Sequence, residues 1–286
     1  MRPGRSILIT GATSGIGRDA ALRLAGAGHL VLAGGRRPDA LAALARAAAG
    51  RVEPLVLDVT DPDSIEAARA LVERRTGGRG LDVLVNNAGY ALPGPLESLA
   101  DQDLRALFDT NVFGLLAVTR AFLPPMRERG QGRVVNVGSI MGRVTMPLLG
   151  AYNASKHAVA AITEALRLEL GPFGITVVLV EPGAVRTGFA ARALEGLAPY
   201  RDPASPYAGA LAGTDAAWAR VYRLAPGPAG AGRAVARAAT ADRPARRYVV
   251  PARNRLVLAG LAFLPGPAAD AARRLIMGLP VRSPRG

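Results

Sequence analysis

Seven short apolar runs limit what this chain can become: SILIT (6–10), LVLA (30–33), VEPLVLD (52–58), LDVLVNN (81–87), RVVNVGS (133–139), ITVVLVE (175–181) and RYVV (247–250). Each has the length of a strand. Most are apolar almost throughout instead of alternating, as strands are when both faces of their sheet are covered. Longer stretches with helical patterning, 15–27, 38–49, 61–76, 101–123 and 152–170, fall between them. Strand–helix alternation builds right-handed βαβ units, so the expected fold is α/β, a doubly wound parallel sheet with helices on both faces. Pro38 suits a first helical turn, and Thr60 and Asp61 are candidate N-caps for the third helix.

The alternation breaks after Pro182. Residues 188–230 hold Gly, Pro, Ala and two aromatic-bearing patches but no clean strand, which predicts a loop with short helices over a substrate. Residues 254–286 form an apolar, proline-interrupted extension with basic flanks. With no internal repeat and no long linker, residues 1–286 read as a single domain with an elaborated C-terminal end.

The chain has no cysteine and two histidines, which excludes thiolate chemistry and argues against a metal centre. The basic start is too short for a signal-peptide core, and no run reaches the roughly 18 apolar residues that span a bilayer. The expectation is a cytoplasmic protein. The net charge of +14 is concentrated at one end: from residue 223 onward there are twelve Arg against two Asp. That stretch carries no recognisable nucleic-acid motif, so no nucleic-acid partner is expected. Its apolar segment either touches an anionic membrane peripherally or is buried in the fold or in a homo-oligomer interface.

The first strand runs directly into TGATSGIG, residues 10–17. Gly11, Gly15 and Gly17 allow a tight turn and a close backbone approach to a pyrophosphate, and the following helix offers free N–H groups. Thr13, Ser14 and Ile16 complete this cradle. A dinucleotide site at the first βα junction is the expectation. An acid roughly 20 residues beyond the glycines would bind the ribose 2′-hydroxyl of NAD. Here the sequence is AGGRRPDAL, with Gly34 and Gly35 where the acid is expected, then Arg36 and Arg37. Two guanidiniums suit a 2′-phosphate, which favours NADP(H) over NAD. Asp39 is assigned to the start of the next helix. Asp58 either meets the adenine amino group, beside Val59, or closes a turn. Asn87, Ala88 and Gly89 are small enough to lie along the cofactor ribose.

Lys156 is the only lysine among 36 cationic residues. It stands four residues after Tyr152, on the same helical face. A free tyrosine, with a pKa of about 10, exchanges protons poorly at neutral pH. A neighbouring ammonium favours the phenolate, and the phenol can then act as general acid or base on a carbonyl or alcohol oxygen. Lysine, a compact charge with rotatable donors, suits this better than the flat fork of arginine. Ser139, thirteen residues before Tyr152, can orient the substrate oxygen. Asn111 in FDTNVFG can hold a water that relays protons from Lys156.

Together TGATSGIG, NNAG, Asn111, Ser139, YNASK and EPGAVRT resemble the short-chain dehydrogenase/reductase family. The resemblance covers about residues 5–190 and continues weakly to about 250. The segment 94–114 followed by EPGAV is similar to the hydroxysteroid/retinol dehydrogenase branch. The resemblance implies a seven-stranded Rossmann sheet of order 3-2-1-4-5-6-7 and an Asn111–Ser139–Tyr152–Lys156 tetrad. It implies that Pro182, Gly183, Val185 and Thr187 cover the nicotinamide end, and that copies pair through 101–123 and 152–170 as a homodimer or homotetramer. Gly138 departs from the serine usual before the catalytic serine. The expected activity is NADP(H)-dependent oxidoreduction of a lipophilic carbonyl or alcohol; a non-catalytic NADP(H)-binding sensor on the same fold is the alternative.

Overall fold

The computed structural model describes residues 4–188, 193 and 195–280. Seven strands, β1 (Ser6–Ile9), β2 (Leu30–Gly35), β3 (Val52–Val56), β4 (Val83–Asn86), β5 (Gly132–Val137), β6 (Ile175–Pro182) and β7 (Arg247–Val250), form one sheet. Every pairing is parallel, in the order β3-β2-β1-β4-β5-β6-β7. The chain therefore has the doubly wound sheet anticipated from its apolar runs, in the Rossmann order that the family resemblance implied, with strand bounds within two residues of those runs.

Both sheet faces are buried, and the period-two direction of side chains shows how. Ile7, Ile9, Val31, Val83, Val85, Val135 and Val178 pack on one side with α1 (Gly15–Gly26) and α2 (Pro38–Ala47). Leu8, Leu32, Leu84, Val134 and Val177 pack on the other with α3 (Pro62–Arg75). Strands apolar on both faces cannot settle with one side in water, which is why the runs lack alternation. Asp61 caps α3 by accepting from the Asp63 amide, while Thr60 instead bonds Asp58.

The stretch predicted as one helix over 101–123 is three pieces. It consists of α4 (Asp101–Phe108), a π-helical turn at Asp109–Phe113, and α5 (Gly114–Glu128), which runs on through Pro124 and Pro125. By length and composition this is the one helical segment among the described residues that could cross a membrane. Val118, Phe122 and Met126 pack it against the sheet as a core helix. The long α6 (Gly150–Leu170) follows β5 and places Tyr152 and Lys156 in its first two turns.

After β6 the described residues include a 3-10 turn at Ala198–Arg201, a helical turn at Ala208–Leu211, and α7 (Thr214–Leu224). A further helix, α8 (Ala229–Thr240), has no counterpart in the sequence reading. Its sequence AGAGRAVARAAT buries only small residues, Ala231, Gly232, Val235, Ala238 and Ala239, at helical spacing opposite the exposed Arg233 and Arg237. The same small residues let it approach α1 closely: a Cβ on Gly232 would lie 2.1 Å from Asp19 Oδ2. The C-terminal extension is two helices, α9 (Asn254–Phe263) and α10 (Gly266–Ile276), divided at Pro265. Parts of the predicted loop, at 189–192 and 194, and the end of the extension, at 281–286, lie outside the described residues.

Candidate active site

The glycine loop leaves β1 and enters α1. Gly11 and Gly15 have φ of +63° and +55°, which glycine adopts at no steric cost. Gly17 is required by a close approach: a Cβ there would sit 2.5 Å from Asn87 Nδ2 and 2.6 Å from the Gly11 oxygen. Asn87 in turn stitches this loop to β4. Its Nδ2 donates to the carbonyls of Thr10 and Gly11, each at 3.0 Å. Thr10 Oγ1 accepts from the amides of Asn87 and Ala88. Thr10 was not singled out by sequence, yet it is the hinge pin of the cradle.

Ser14 occupies the N-cap of α1 without a side-chain capping bond, and the first turn carries no acid. The hydroxyl, the amides and the positive helix end therefore fit an anion, with no negative charge to oppose it. Ile16 is partly buried against the core, so it anchors the helix. The side chain of Thr187 reaches over the loop; its Cγ2 lies 3.3 Å from where a Gly15 Cβ would stand.

Arg36 and Arg37 follow β2 directly and are exposed. A Cβ on Gly35 would lie 2.8 Å from Thr13 Cγ2, so the bare backbone there leaves room beside the loop. Asp39 lies in the first turn of α2. Asp58 Oδ1 accepts from both the amide and the hydroxyl of Thr60. Partial burial pushes the Asp58 carboxyl up, but those two bonds and the charge of Arg36 hold it below its ordinary value. It thus closes a turn, the second of the two roles open to it, with one oxygen unengaged in that turn. Val59 is buried against Gly114. These residues fit a phosphate-bearing dinucleotide with a basic grip at the end of β2.

At the C-terminal ends of β4, β5 and β6 the remaining predicted residues converge. Ser139 follows β5; its Oγ accepts from the Met141 amide at 3.1 Å and donates to the Pro182 oxygen at 3.4 Å. Ser139 and the Tyr152 hydroxyl are hydrogen-bonded. Lys156 Nζ lies 5.8 Å from the Tyr152 ring centre and donates to the Val137 oxygen at 3.1 Å. The same Nζ lies 3.6 Å from the position of a Gly89 Cβ, and Asn111 Oδ1 lies 2.9 Å from it. Gly89 therefore keeps open the space between lysine and asparagine. Gly183 donates its amide to the Val250 oxygen, and Pro182 is buried beside Ser139. Val185, between Gly183 and Thr187, is partly buried.

Asn111 sits in the π-turn, and its side chain is committed to structure. Oδ1 accepts from the Tyr90 amide, while Nδ2 donates to the Tyr90 oxygen and to Ser155 Oγ. Both Nδ2 hydrogens are thereby used, while Oδ1, with two lone pairs, keeps one acceptor site for the expected water.

The electrostatics differ from the expectation. Burial pushes the Tyr152 hydroxyl up; the Ser139 bond opposes this weakly and the nearby Tyr222 adds to it. Burial alone lowers Lys156 to about 8. Tyr152 and Lys156 are 8% and 6% exposed. Losing water disfavours phenolate and ammonium alike, and that outweighs their attraction in the protein alone.

Two further features escaped the sequence. Under the site, Asn86 Nδ2 donates to Thr119 Oγ1 and Asn136 Oδ1, and Asn136 Nδ2 donates to Thr163 Oγ1. This buried chain ties β4 and β5 to α5 and α6; the polar residue inside each apolar run was its visible signal. Beside the site, Trp218 of α7, Met146, Leu149 and Met277 form an apolar cluster joined by Met141 and Tyr222. Trp218 and Tyr222 rings are 5.7 Å apart.

A parallel sheet of this order, with a glycine cradle and a Ser–Tyr–Lys group at its strand ends, defines a nucleotide-dependent oxidoreductase architecture. The family model for short chain dehydrogenase matches residues 5–197, and the chain belongs to this family. An NADPH-dependent 3-dehydrocapnine reductase of Ornithobacterium rhinotracheale is 34% identical over 266 residues, 91% of this chain and 93% of that protein. Retinol dehydrogenase 5 of Mus musculus is 40% identical over 182 residues, 63% of this chain and 57% of that protein. The structure of F189W actinorhodin polyketide ketoreductase with NADPH superposes with a TM-score of 0.73 at 34% identity, covering 87% of this chain and 97% of that one.

Proposed function

We propose that this oxidoreductase reduces a lipophilic ketone or aldehyde to an alcohol with NADP(H), and that Tyr152 gives the proton to the carbonyl oxygen. The observation that carries this reading is the convergence of Ser139, Tyr152 and Lys156, buried together beside an apolar cluster.

The cradle of Gly11, Thr13, Ser14, Gly15 and Gly17 would hold the pyrophosphate, and Arg36 and Arg37 the 2′-phosphate. Asp58 and Val59 would border the adenine, Asn87, Ala88 and Gly89 the ribose, and Pro182, Gly183, Val185 and Thr187 the nicotinamide end. Bound NADPH supplies the hydride that adds to the carbonyl carbon. Ser139 donates to the substrate oxygen and fixes it against the Tyr152 hydroxyl. Burial keeps the Tyr152 phenol protonated in the protein alone, so the proton to be given is in place, and the adjacent Lys156 charge is what eases its release. When its proton leaves, the Lys156 charge stabilises the phenolate left behind. That help is small beforehand and large afterwards, which is the condition for lowering a barrier. Trp218, Tyr222 and Met146 would receive the apolar body of the substrate. The relatives named for reductase and dehydrogenase activities support this reading over the sensor alternative.

A panel of ketones, aldehydes and alcohols, run with NADPH/NADP and with NADH/NAD, tests it. Turnover of apolar carbonyls with NADPH is expected. Tight NADPH binding with no turnover across the panel would favour the non-catalytic alternative.

A further inference from the structure

The two C-terminal helices turn one side to the body and the other to water. Inward, Leu258, Ala269 and Met277 are buried, and Met277 joins the apolar cluster beside Tyr222. Outward, Leu256 is 78% and Phe263 87% exposed. Their spacing on α9, with Gly260 between them, puts both on one face, beside the exposed Ala259. Leu264, at the turn between the helices, and Leu275, near the end of α10, are exposed as well.

Basic residues border this face. Arg253 and Arg255 lead into α9, are exposed, and form no ion pair among the described residues. Arg255, Arg143 and Arg247 line a cleft of about 380 Å³ whose apolar wall includes Leu258 and Ala259. Arg247 is engaged by Glu164 and Glu181, whereas Arg143 and Arg255 have no ion-pair partner among the described residues. Ala259 belongs both to the cleft and to the apolar face.

We propose that α9 and the turn after it dock on the surface of an anionic lipid bilayer. Leu256 and Phe263 enter the boundary between headgroups and acyl chains, Arg253 and Arg255 meet the phosphates, and the cleft accepts one phosphate headgroup. Charge decides between this occupant and a second copy of the chain. Twelve Arg against two Asp from residue 223 onward repel a like surface and attract an anionic one. Docking in this orientation also brings lipid to α10, part of the apolar cluster proposed above to receive substrate; the docking itself does not depend on that reading.

The test is flotation of the full-length protein with vesicles of phosphatidylcholine alone or mixed equally with phosphatidylglycerol. It reads no activity, so it can fail independently of the proposed reaction. The protein is expected to float with the mixed vesicles and to be released by high salt. Leu256→Ser with Phe263→Ser should reduce partitioning about tenfold or more. Arg253→Gln and Arg255→Gln should each reduce it about fivefold. All four side chains are exposed, and unchanged circular dichroism and melting would show that the variants fold. The proposal is overturned if the protein stays unbound with both vesicles, or if the serine variant floats like the parent. A concentration-dependent dimer in sedimentation, lost in the serine variant without any flotation, would assign the face to a second copy.

Discussion

The Lys156 ammonium lies 5.8 Å from the centre of the Tyr152 ring, and burial disfavours the charged form of both side chains. The pair is therefore electrostatically unsettled in the protein alone, and this has measurable consequences.

The first concerns pH and stability. Lys156 is lowered to about 8 by burial, against about 10.4 in an unfolded chain. Between these values the unfolded chain binds the extra proton, so stability without nucleotide should rise with pH across this window. Below the window both states are charged and the folded state carries the full desolvation cost. The raised Tyr152 opposes the trend only above about pH 10. Lys156→Met should flatten the rise and stabilise the nucleotide-free protein near neutrality, by on the order of 3 kcal/mol. Urea unfolding at a series of pH values checks this; an unchanged slope in the methionine variant would place the titration elsewhere.

The second concerns cofactor choice. Arg36 and Arg37 stand free of ion pairs among the described residues at the end of β2. Arg36→Ala with Arg37→Ala should raise KM for NADPH by about 10- to 100-fold, the loss of one or two charge-assisted bonds. KM for NADH should change little. Equal losses for both nucleotides would show that the arginines do not read the 2′-phosphate.

The third concerns the π-turn. Asn111→Leu leaves the Tyr90 amide and carbonyl and Ser155 Oγ without their bonds to the side chain. A loss of about 2–4 kcal/mol in unfolding free energy is expected, because Asn111 and Ser155 are buried and Tyr90 is half-buried. A variant as stable as the parent would mean that the turn is held by other contacts.

These residues also show what the chain declares and what it hides. The sheet was legible because burial on both faces forbids alternation, so Ile7, Leu8 and Ile9 had to read as one run. Gly11, Gly15 and Gly17 were legible because a turn against a neighbouring strand tolerates little else. Lys156 stood out against a background of arginine. By contrast, α8 carries its buried stripe on Ala231, Val235, Ala238 and Ala239, residues too small to stand out as an apolar run, so its helical spacing was missed. The π-turn at Asn111 depends on contacts with Tyr90 and Ser155, residues far from it in sequence. The upward push on Tyr152 arises from burial that sequence spacing cannot express. Tyr222 and Trp218 were visible as aromatic residues, but only folding brings them to the site.

A fourth prediction isolates the serine. Ser139→Ala removes the bond to Tyr152 together with those to the Met141 amide and the Pro182 oxygen. A fall in kcat of about 100-fold is expected, as for a single donor aimed at a reacting oxygen. KM for NADPH should stay close to that of the parent. Steady-state kinetics on the best carbonyl of the panel would check the split; an unchanged kcat would remove Ser139 from the reaction.

The central claim is that the Tyr152 hydroxyl is the proton donor. Its most direct test is Tyr152→Phe, which deletes one oxygen and keeps the ring. NADPH affinity, measured by fluorescence titration, should remain within about threefold, since less than 1 kcal/mol of binding is at stake. NADPH oxidation with the best carbonyl should fall by about 1,000-fold or more, within the range ascribed to general acid catalysis. Turnover retained at the level of the parent enzyme, with NADPH bound, would contradict the account.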